Sequence, residues 1–470
     1  MTNYRVEHDS LGDVRVPADA FWGAQTQRAI ENFPISGHRT AFGFVWATAA
    51  VKCAAAMVHG DLGLLPQDKA RAIIQAATEV MDGKLTDQFV VDVYQAGAGT
   101  SHNMNTNEVI ANRALEILGH RRGEYKIVHP NDHVNMAQST NDVIPTALRL
   151  FVLRDGIPLL EAVDRLAMSL RAKAKEFDGV LKSGRTHLQD AVPVRLGQEI
   201  NAYAEAVERG CERIAQAREG LLEIGLGGSA AGTGLNVHPE YRPRVVAALA
   251  EITGFPLKQT DDYFWAMQSL GPLVEFSAAL RNFAIELSRI MNDLRLLSSG
   301  PTTGLNEITL PPVQPGSSIM PGKVNPVMAE MLNMVCFSVI GFDEAVTWAA
   351  GAGQLELNVM MPLLAFSVGE QMKALTGGIN AFVNRAVGGI VANEDDCRRF
   401  LEKSLGLVTA LNPIIGYEKA AEVAKESRKT GRSIKEIVLE KGYLTAEQMR
   451  KTLDPAALTE PGIPGAKKDG

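Results

Sequence analysis

The pattern that is easiest to interpret is an apolar repeat between residues 273 and 294. Apolar residues recur there at alternating spacings of three and four positions, at Leu273, Phe276, Leu280, Phe283, Leu287, Ile290 and Leu294. This spacing puts the side chains on one face of an α-helix, and such a face must pack against a partner helix. At 1.5 Å per residue, the pattern predicts helices of about 40 Å or longer.

Two earlier segments repeat the same spacing and extend the prediction to a bundle of long helices. The apolar positions of these segments are Leu159, Val163, Leu166 and Leu170, and then Ile200, Tyr203, Val207 and Ile214. Alternation typical of strands is scarce, so the predicted fold is mainly α. Helical spacing alone leaves open whether the bundle packs within one chain or between subunits.

The distribution of these patterns predicts three regions along the chain. Residues 1–140 mix short helical patterns with glycine- and asparagine-rich loops, and they are expected to form an N-terminal mixed helical and loop domain. Residues 141–393 contain the long helical patterns and are expected to form a central bundle domain, interrupted by a proline- and glycine-rich loop at 315–326. Residues 394–470 are charged and predict a small C-terminal helical domain.

Composition places the chain in the globular class. It has 470 residues, of which 46% are hydrophobic and 21% are charged. The formal net charge of −7 provides no global basic field, so we expect neither a nucleic-acid partner nor a membrane partner. The polar N-terminal segment lacks the apolar core of a signal peptide, and we expect no stretch to reach the apolar length of a membrane span. We therefore expect a cytoplasmic protein.

Sequence signatures of metal and nucleotide sites are absent. The four cysteines are widely spaced and predict buried, reduced thiols, and neither an HExxH nor an EF-hand pattern occurs. "GSSIMPGKV" has five residues between its glycines where a phosphate loop has four, and "GLGGSAAGTGLN" does not fit the dinucleotide fingerprint. His129 and His133 lie four residues apart, but Pro130 and Asn131 between them predict a loop. We expect no metal and no cofactor.

Four polar segments remain as candidates for chemistry. They are "GAGTSHNMN" with Thr100 and Ser101, "QSTND" with Ser139, Thr140 and Asn141, "SGRTHLQD" with Thr186 and His187 just before a helical stretch, and "PGSSIMPGKVNP" with Ser317, Ser318, Lys323 and Asn325. Taken singly, such clusters are typical of helix caps and turns. Taken together, hydroxyls, amides and one lysine are suited to holding a small dicarboxylate by directed hydrogen bonds.

These segments resemble the fumarase/aspartase superfamily. "GSSIMPGKVNP" is similar to the superfamily signature, and "GAGTSHNMNTNEV", "HPNDHVNMAQSTND" and "GRTHLQDAVPVRLGQE" match three further family segments in the expected order. The similarity extends from "RVEHDSLGD" to "LNPIIGYEKAAEVA", which is effectively the whole chain. The resemblance implies a homotetramer whose long helices form a central bundle, with each active site built from three subunits.

The resemblance also implies a lyase that catalyses anti elimination across the Cα–Cβ bond of a four-carbon dicarboxylate to give fumarate. The carbanion formed on proton removal spreads its charge into the adjacent carboxylate, which becomes a dianionic aci-form. Catalysis then requires hydrogen-bond donors placed in advance around that carboxylate.

The resemblance assigns each candidate residue a role. Ser317 corresponds to the catalytic base, stabilised as an alkoxide by Lys323 and by backbone N–H groups of its loop. The carboxylate next to the abstracted proton would be held by Thr100, Ser139, Thr140 and Ser318, with Ser101 beside them, and the other carboxylate by Lys323, Asn325 and Thr186. The leaving group would face Asn141 and His187, and Glu330 would pair with His187. A second dicarboxylate site would be formed in "HPND" by His129, Asn131 and Asp132. Gly316 and Gly322 are the predicted hinges of a loop that closes over substrate.

The leaving group is predicted less directly. "YQAGAGTS", "QSTND", "NDLRLLSSGP" and "GQLELNVM" resemble aspartases, whereas "FWGAQTQRA" and "HPND" resemble fumarases. "SGPTTG" lacks the arginine that often follows this proline, and Met361 replaces an acidic residue common in aspartases. We favour elimination of ammonia from L-aspartate. The alternatives are elimination of water from L-malate, cleavage of a succinyl adduct, and a catalytically inactive structural homologue.

Overall fold

A computed structural model describes residues 3–454 and 456–464 of the chain, and it confirms the predicted, mainly α fold. The α-helices are α1 Ala24–Asn32, α2 Phe42–Asp61, α3 Gln67–Met81, α4 Thr100–Ile117, α5 Thr140–Glu176, α6 Leu196–Glu219, α7 Tyr241–Thr253, α8 Tyr263–Gln268, α9 Gly271–Leu297, α10 Val327–Gly351, α11 Met361–Arg385, α12 Glu394–Lys403, α13 Asn412–Ile415, α14 Tyr417–Thr430, α15 Ile434–Glu440 and α16 Ala446–Thr452.

Strands within the described residues occur as four two-stranded pairs. Three pairs are antiparallel, namely β1 Tyr4–Asp9 with β2 Gly12–Pro17, β3 Leu181–Thr186 with β4 Gln189–Arg195, and β7 Ile308–Thr309 with β8 Val391–Ala392. The fourth, β5 Glu223–Ile224 with β6 Lys258–Gln259, is parallel. None of these pairs forms a larger sheet, so helix packing rather than sheet packing supplies the core.

The apolar repeats lie on the long helices that they predicted. Helix α9 has 27 residues, and all seven of its repeat positions are at most 2% exposed. The repeat positions of α5 and α6 are buried as well. Burial of this stripe removes apolar surface from water along the whole length of each helix, which favours a long helix over a broken one.

The chain forms two compact units. The first comprises the described residues up to Glu161, together with Gly210–Ala284 and Cys336–Thr376. The second comprises Ala162–Arg209, Ile285–Val335 and the described residues from Gly377 onward. Helices α5, α6, α9, α10 and α11 contribute residues to both units. The predicted division into regions 1–140, 141–393 and 394–470 stays a prediction.

Each unit has an apolar core of its own. In the first unit, the alanine-rich helix α2 packs closely on α3 and α4, and Ala49, Ile73 and Val109 are fully buried between them. In the second unit, helices α14–α16 enclose a small cluster that includes Ile437. Small side chains on α2 allow the close approach of its neighbours, which explains how a 20-residue helix can be almost entirely buried.

Two helices correct the expectation that no segment reaches the length of a membrane span. By length and composition alone, α2 and α10 are apolar enough to cross a membrane. The apolar window of α2 is 83% buried within the fold, as in the core helix of a globular protein. The corresponding window of α10 is only 28% buried, so this helix presents an apolar face outside the single chain.

Three of the four cysteines are buried as predicted, whereas Cys211 is half-buried. Cys53, Cys336 and Cys397 are buried. Burial raises the pKa of the Cys53 thiol to about 11 and the pKa values of the other two to about 12. These thiols therefore stay protonated at neutral pH and act as small apolar groups.

Candidate active site

The loop at residues 315–326 lies in the second unit and is closed by its own backbone. The N–H of Gly316 donates to the Lys323 carbonyl at 2.8 Å, and the Asn325 side-chain amide donates to the Gly316 carbonyl at 2.8 Å. A Cβ atom on Gly316 would lie 2.5 Å from the Lys323 carbonyl oxygen, so only glycine permits this approach. Gly322 has φ of +81°, which also favours glycine. The predicted hinge role of both glycines stays a prediction.

Ser317 is held in this loop as a hydrogen-bond acceptor. Its Oγ accepts the backbone N–H groups of Ile319 at 3.2 Å and of Met320 at 3.0 Å. Two donors aimed at one hydroxyl oxygen stabilise negative charge on that oxygen, because hydrogen bonds to an ionised acceptor are stronger than those to a neutral one. Ser317 is half-buried, whereas Ser318 and Lys323 are exposed in the single chain.

Thr186 and His187 lie at a β-hairpin, which corrects the prediction that they directly precede a helix. Thr186 ends β3, and His187 and Leu188 form the two-residue turn into β4, with φ of +55° and +56°. Positive φ at both turn residues is typical of a type I′ hairpin turn, whose twist suits the flanking strands. Thr186 and His187 are exposed, and the helix begins only at Leu196.

The predicted pair of His187 and Glu330 does not form within one chain. Glu330 lies half-buried in the first turn of α10. Among the hydrogen bonds of the described residues, none joins its carboxylate to the His187 ring. The pairing of His187 with Glu330 stays a prediction.

Thr100 and Ser101 begin helix α4 in the first unit. The preceding backbone turns sharply, with φ of +62° at Ala98 and +83° at Gly99. The N–H of Ala98 donates to the Val359 carbonyl at 2.7 Å, which anchors the turn. Thr100 is exposed at the N-terminal end of the helix, and the next residue, Ser101, is buried.

The "QSTND" segment is a self-capping turn at the start of α5. The Ser139 N–H donates to Asp142 Oδ1 at 2.9 Å, and the Asn141 N–H donates to Ser139 Oγ at 3.2 Å. Thr140 Oγ1 accepts a hydrogen bond at 3.3 Å from the side-chain amide of Asn103 on α4. The structure therefore brings Thr140 to α4, within three residues of Thr100 along that helix.

Behind this turn lies the glycine-rich segment of residues 227–234, which the sequence excluded as a dinucleotide site. The fully buried Asp142 carboxylate accepts the backbone N–H groups of Gly227 at 2.9 Å and Ser229 at 3.0 Å. Burial raises the pKa of Asp142 to about 6, while these N–H groups act in the opposite direction. The segment also fixes Asn141, whose side-chain Nδ2 donates to the Ala230 carbonyl at 2.8 Å.

The Arg242 side chain also holds the backbone of the glycine-rich segment in place. Its guanidinium donates to the carbonyls of Gly227 at 3.0 Å and Gly232 at 2.9 Å, and it stacks over the Tyr263 ring at 3.8 Å. Gly232 has φ of +114°. These contacts give the segment a single backbone conformation, and this conformation orients the Asn141 amide.

Lys52 is the residue of this site that sequence analysis missed. It is fully buried on α2, and its Nζ donates to Asn103 Oδ1 at 2.8 Å, to Asn135 Oδ1 at 2.8 Å and to Gln138 Oε1 at 2.9 Å. Burial lowers the pKa of Lys52 to about 7. All three oxygen acceptors can nevertheless be satisfied only by the charged ammonium, because it has three N–H donors. The sequence feature that could have indicated this buried charge is a single lysine in the otherwise apolar run "ATAAVKCAAAM".

The "HPND" segment is also more ordered than predicted. Residues Pro130–Val134 form one π-helical turn rather than an irregular loop. His129 caps this turn, because its Nδ1 accepts the backbone N–H groups of Asn131 at 3.1 Å and Asp132 at 3.2 Å. Asn131 and Asp132 are exposed. The second dicarboxylate site stays a prediction.

No metal-binding cluster is present in the part of the chain that the structure describes. Groups of three or more His, Cys, Asp or Glu side chains that could hold a metal ion do not occur within residues 3–454 and 456–464.

Comparison with known proteins defines the class. The family model described as Lyase matches residues 12–341, and the model described as Fumarase C C-terminus matches residues 407–460. The chain therefore belongs to the fumarase/aspartase superfamily of lyases.

Individual relatives narrow the comparison to particular enzymes. The chain is 49% identical over 462 residues to the aspartate ammonia-lyase of Bacillus subtilis (strain 168), covering 98% of this chain and 97% of that protein. It is 50% identical over 462 residues to the aspartate ammonia-lyase of Pseudomonas aeruginosa, covering 98% of each.

Two solved structures share the fold over nearly their whole length. A Brucella melitensis protein described as fumarate lyase:delta crystallin, bound to cobalt, has a TM-score of 0.95 and 48% identity, covering 98% of this chain and 100% of that chain. A class II fumarase from Schistosoma mansoni has a TM-score of 0.94 and 35% identity, with coverages of 97% and 99%.

We predict that Lys52→Met destabilises the first unit. The substitution keeps the apolar stem but removes the donor shared by three amide oxygens, and the expected loss in free energy of unfolding is about 3 kcal/mol or more. Urea denaturation followed by circular dichroism measures this loss. Lys84→Met, at an exposed lysine, is the matched control and should change stability by less than about 0.5 kcal/mol. Equal stability of the two variants would contradict the role of Lys52.

Proposed function

We propose that this chain is a carbon–nitrogen lyase that eliminates ammonia from L-aspartate to give fumarate. The observation that carries this proposal is the near-full-length identity of 49% and 50% to two proteins named aspartate ammonia-lyase. The structure adds a physical basis for the chemistry, since it gives a serine hydroxyl an environment suited to negative charge.

The first step of the proposed reaction is removal of a weakly acidic C–H proton next to a carboxylate. Ser317 acts as the base, and the N–H groups of Ile319 and Met320 stabilise its alkoxide. The electron pair left on carbon spreads into the adjacent carboxylate, which becomes a dianion. Donors that are already in place around this carboxylate stabilise the dianion without reorganising during the reaction.

The second step is departure of the amine from the neighbouring carbon. Asn141 Nδ2 donates one of its two N–H groups to the Ala230 carbonyl, which orients the amide and leaves Oδ1 and one N–H for a ligand. An oxygen acceptor suits the N–H donors of a substrate ammonium group. Ammonia leaves without needing a proton, whereas hydroxide needs a general acid. The Asn141 oxygen is compatible with ammonia as the leaving group, and the identity to the aspartate ammonia-lyases is what ranks ammonia first.

The remaining contacts follow the roles implied by the family. We propose that each active site is built from three subunits, and that His187 meets Glu330 there. The proposed carboxylate ligands are Thr100, Ser101, Ser139, Thr140 and Ser318 on the side of the abstracted proton, and Thr186, Lys323 and Asn325 on the other side.

Elimination of water from L-malate is the second candidate function. It is favoured by the match of residues 407–460 to the Fumarase C C-terminus and by the likeness to the Schistosoma mansoni class II fumarase. Identity to that fumarase is 35%, compared with 49% and 50% to the two aspartate ammonia-lyases, which is why we rank it second.

A direct assay separates the two functions. We expect purified protein to produce fumarate, followed by its ultraviolet absorbance, from L-aspartate and not from L-malate. Fumarate from L-malate alone would replace the proposed function with the second one. No fumarate from either substrate would favour an inactive structural homologue or a lyase for succinyl adducts.

Ser317→Ala tests the proposed base. We expect the variant to fold normally and its kcat with L-aspartate to fall by about 10²–10⁴-fold, the range typical of a lost acid–base group. Ser10→Ala, at an exposed turn serine, is the control and should keep full activity. Near-normal turnover by the Ser317 variant would remove this residue from the role of base.

We further propose that four copies of this chain form a homotetramer, acting in the cytoplasm without a nucleic-acid partner, a membrane or a cofactor. Helix α10 supports the assembly, because Met334, Phe337 and Trp348 are each more than half exposed on it in the single chain. Exposed apolar side chains on one helix are typical of a protein–protein interface. A second copy would remove this surface from water.

Light scattering tests the assembly. We expect a mass four times that of the 50.7 kDa chain. Phe337→Glu places a charge in the proposed interface and should lower the measured mass, because a buried unpaired charge is costly. Leu11→Glu, at an exposed leucine outside α10, is the matched control and should leave the mass unchanged. A monomeric wild-type protein would contradict the proposal.

A further inference from the structure

A cavity of about 360 Å³ lies in the first unit, and the proposed function does not use it. Its lining includes none of the residues assigned above to the dicarboxylate. The N-terminal end of α2 forms one wall. The side chains of Phe44, Phe151, Ala365 and Phe366 supply apolar surface. A partly open, mainly apolar cavity of this size with several polar groups is typical of a small-molecule site.

Charged side chains of both signs also line this cavity. Asp155 is half-buried and accepts a hydrogen bond from Arg154 at 2.5 Å, and Arg154 is further held over the rings of Phe42 and Trp46. The guanidinium of Arg39, in contrast, makes no hydrogen bond or ion pair with any described residue. The cavity therefore offers an uncommitted cation at its exposed edge and a carboxylate deeper inside.

His102 adds a buried hydrogen-bond acceptor to the lining. Its ring stacks on Phe44, and its Nε2 lies 2.9 Å from Thr48 Oγ1. The Thr48 hydroxyl donates to the Phe44 carbonyl, so it accepts from a protonated Nε2, and His102 Nδ1 is left as an acceptor. This Nδ1 is buried and has no hydrogen-bond partner among the described residues. Burial lowers the pKa of His102 to about 3, so the ring is neutral.

We propose that this cavity binds a small zwitterion, namely an α-amino acid with an apolar side chain. The ligand carboxylate pairs with Arg39, and its ammonium group donates to Asp155 and to His102 Nδ1. Its side chain packs against Phe44 and Phe151.

Among the charged residues of the lining, Arg154 pairs with Asp155, and Lys373 pairs with Glu370, so Arg39 is the cation left for a ligand carboxylate. Arg39 and Asp155 together match the two charged ends of such a ligand, whereas a dicarboxylate would bring a second negative charge towards Asp155.

The location of the cavity connects it to the proposed active site. His102 follows Ser101 directly on α4 and precedes Asn103, which Lys52 and Thr140 both contact. A ligand that contacts His102 therefore touches the same helical turn that presents Thr100 and Ser101. This geometry does not depend on which dicarboxylate the enzyme uses.

Isothermal titration calorimetry with the full-length protein tests the proposal. L-Leucine and L-phenylalanine are the probes, and excess fumarate is present so that the proposed dicarboxylate site is occupied. We expect saturable binding of at least one probe. 4-Methylpentanoate, which lacks the ammonium group of leucine, should bind at least about tenfold more weakly because it loses charge-assisted hydrogen bonds. Absence of saturable binding by both amino acids would overturn the proposal.

Two variants then locate the bound amino acid. Arg39→Gln and Asp155→Asn should each weaken binding by about tenfold or more, since each removes one charged partner. Arg121→Gln, at an exposed arginine outside the cavity, is the matched control and should bind like the wild type. Arg39 is exposed, so its variant should fold even if Asp155→Asn does not. Binding that is unchanged in Arg39→Gln would overturn the assignment.

Competition separates this proposal from the proposed function. An amino acid that binds only without fumarate occupies the dicarboxylate site, and that result would overturn the separate cavity site. If the protein produces no fumarate from L-aspartate but binds leucine through Arg39, the proposed function fails while the cavity site stands. If it produces fumarate but binds neither probe, the cavity site fails alone.

Discussion

Two buried charges hold the part of the first unit on which the candidate chemistry depends. The Lys52 ammonium joins α2 to Asn103 on α4 and to the segment that precedes α5. The Asp142 carboxylate joins the start of α5 to the glycine-rich segment behind it. A buried charge is costly unless it is fully hydrogen-bonded, so each of these groups is stable only in one arrangement of its partners. The same arrangement places Thr140 beside α4 and aims the Asn141 amide.

In the second unit, the proposed base Ser317 requires a different environment, one that stabilises negative charge on its hydroxyl oxygen. The loop at residues 315–326 carries no buried charge. It instead closes through its own backbone at Gly316 and directs two N–H groups at Ser317 Oγ. Backbone donors are fixed by the loop conformation and do not have to reorganise when negative charge develops. Lys323 is exposed, so its charge remains solvated in the single chain.

Long helices connect these features to the rest of the fold. Apolar stripes on α5, α6 and α9 are buried within the chain, whereas α10 keeps a large apolar area exposed. The exposed apolar face of α10 is the surface that supports the proposed homotetramer. Within the described residues, His187 and Glu330 make no hydrogen bond or ion pair, so their predicted pairing rests on that proposed assembly.

Local patterns in the sequence were sufficient for the mainly α fold, for the buried faces of α5, α6 and α9, and for the superfamily, because helical periodicity and signature loops involve residues close together in the chain. They also supplied the polar residues of the candidate site, whose roles stay predictions. Only the tertiary structure decided that His187 lies in a hairpin turn, that Lys52 and Asp142 hold the turn before α5, and that Arg39, His102 and Asp155 line one cavity. Those features depend on contacts between residues that are far apart in the sequence. Local patterns of residue types do not indicate which distant residue forms the hydrogen bond to a buried polar group.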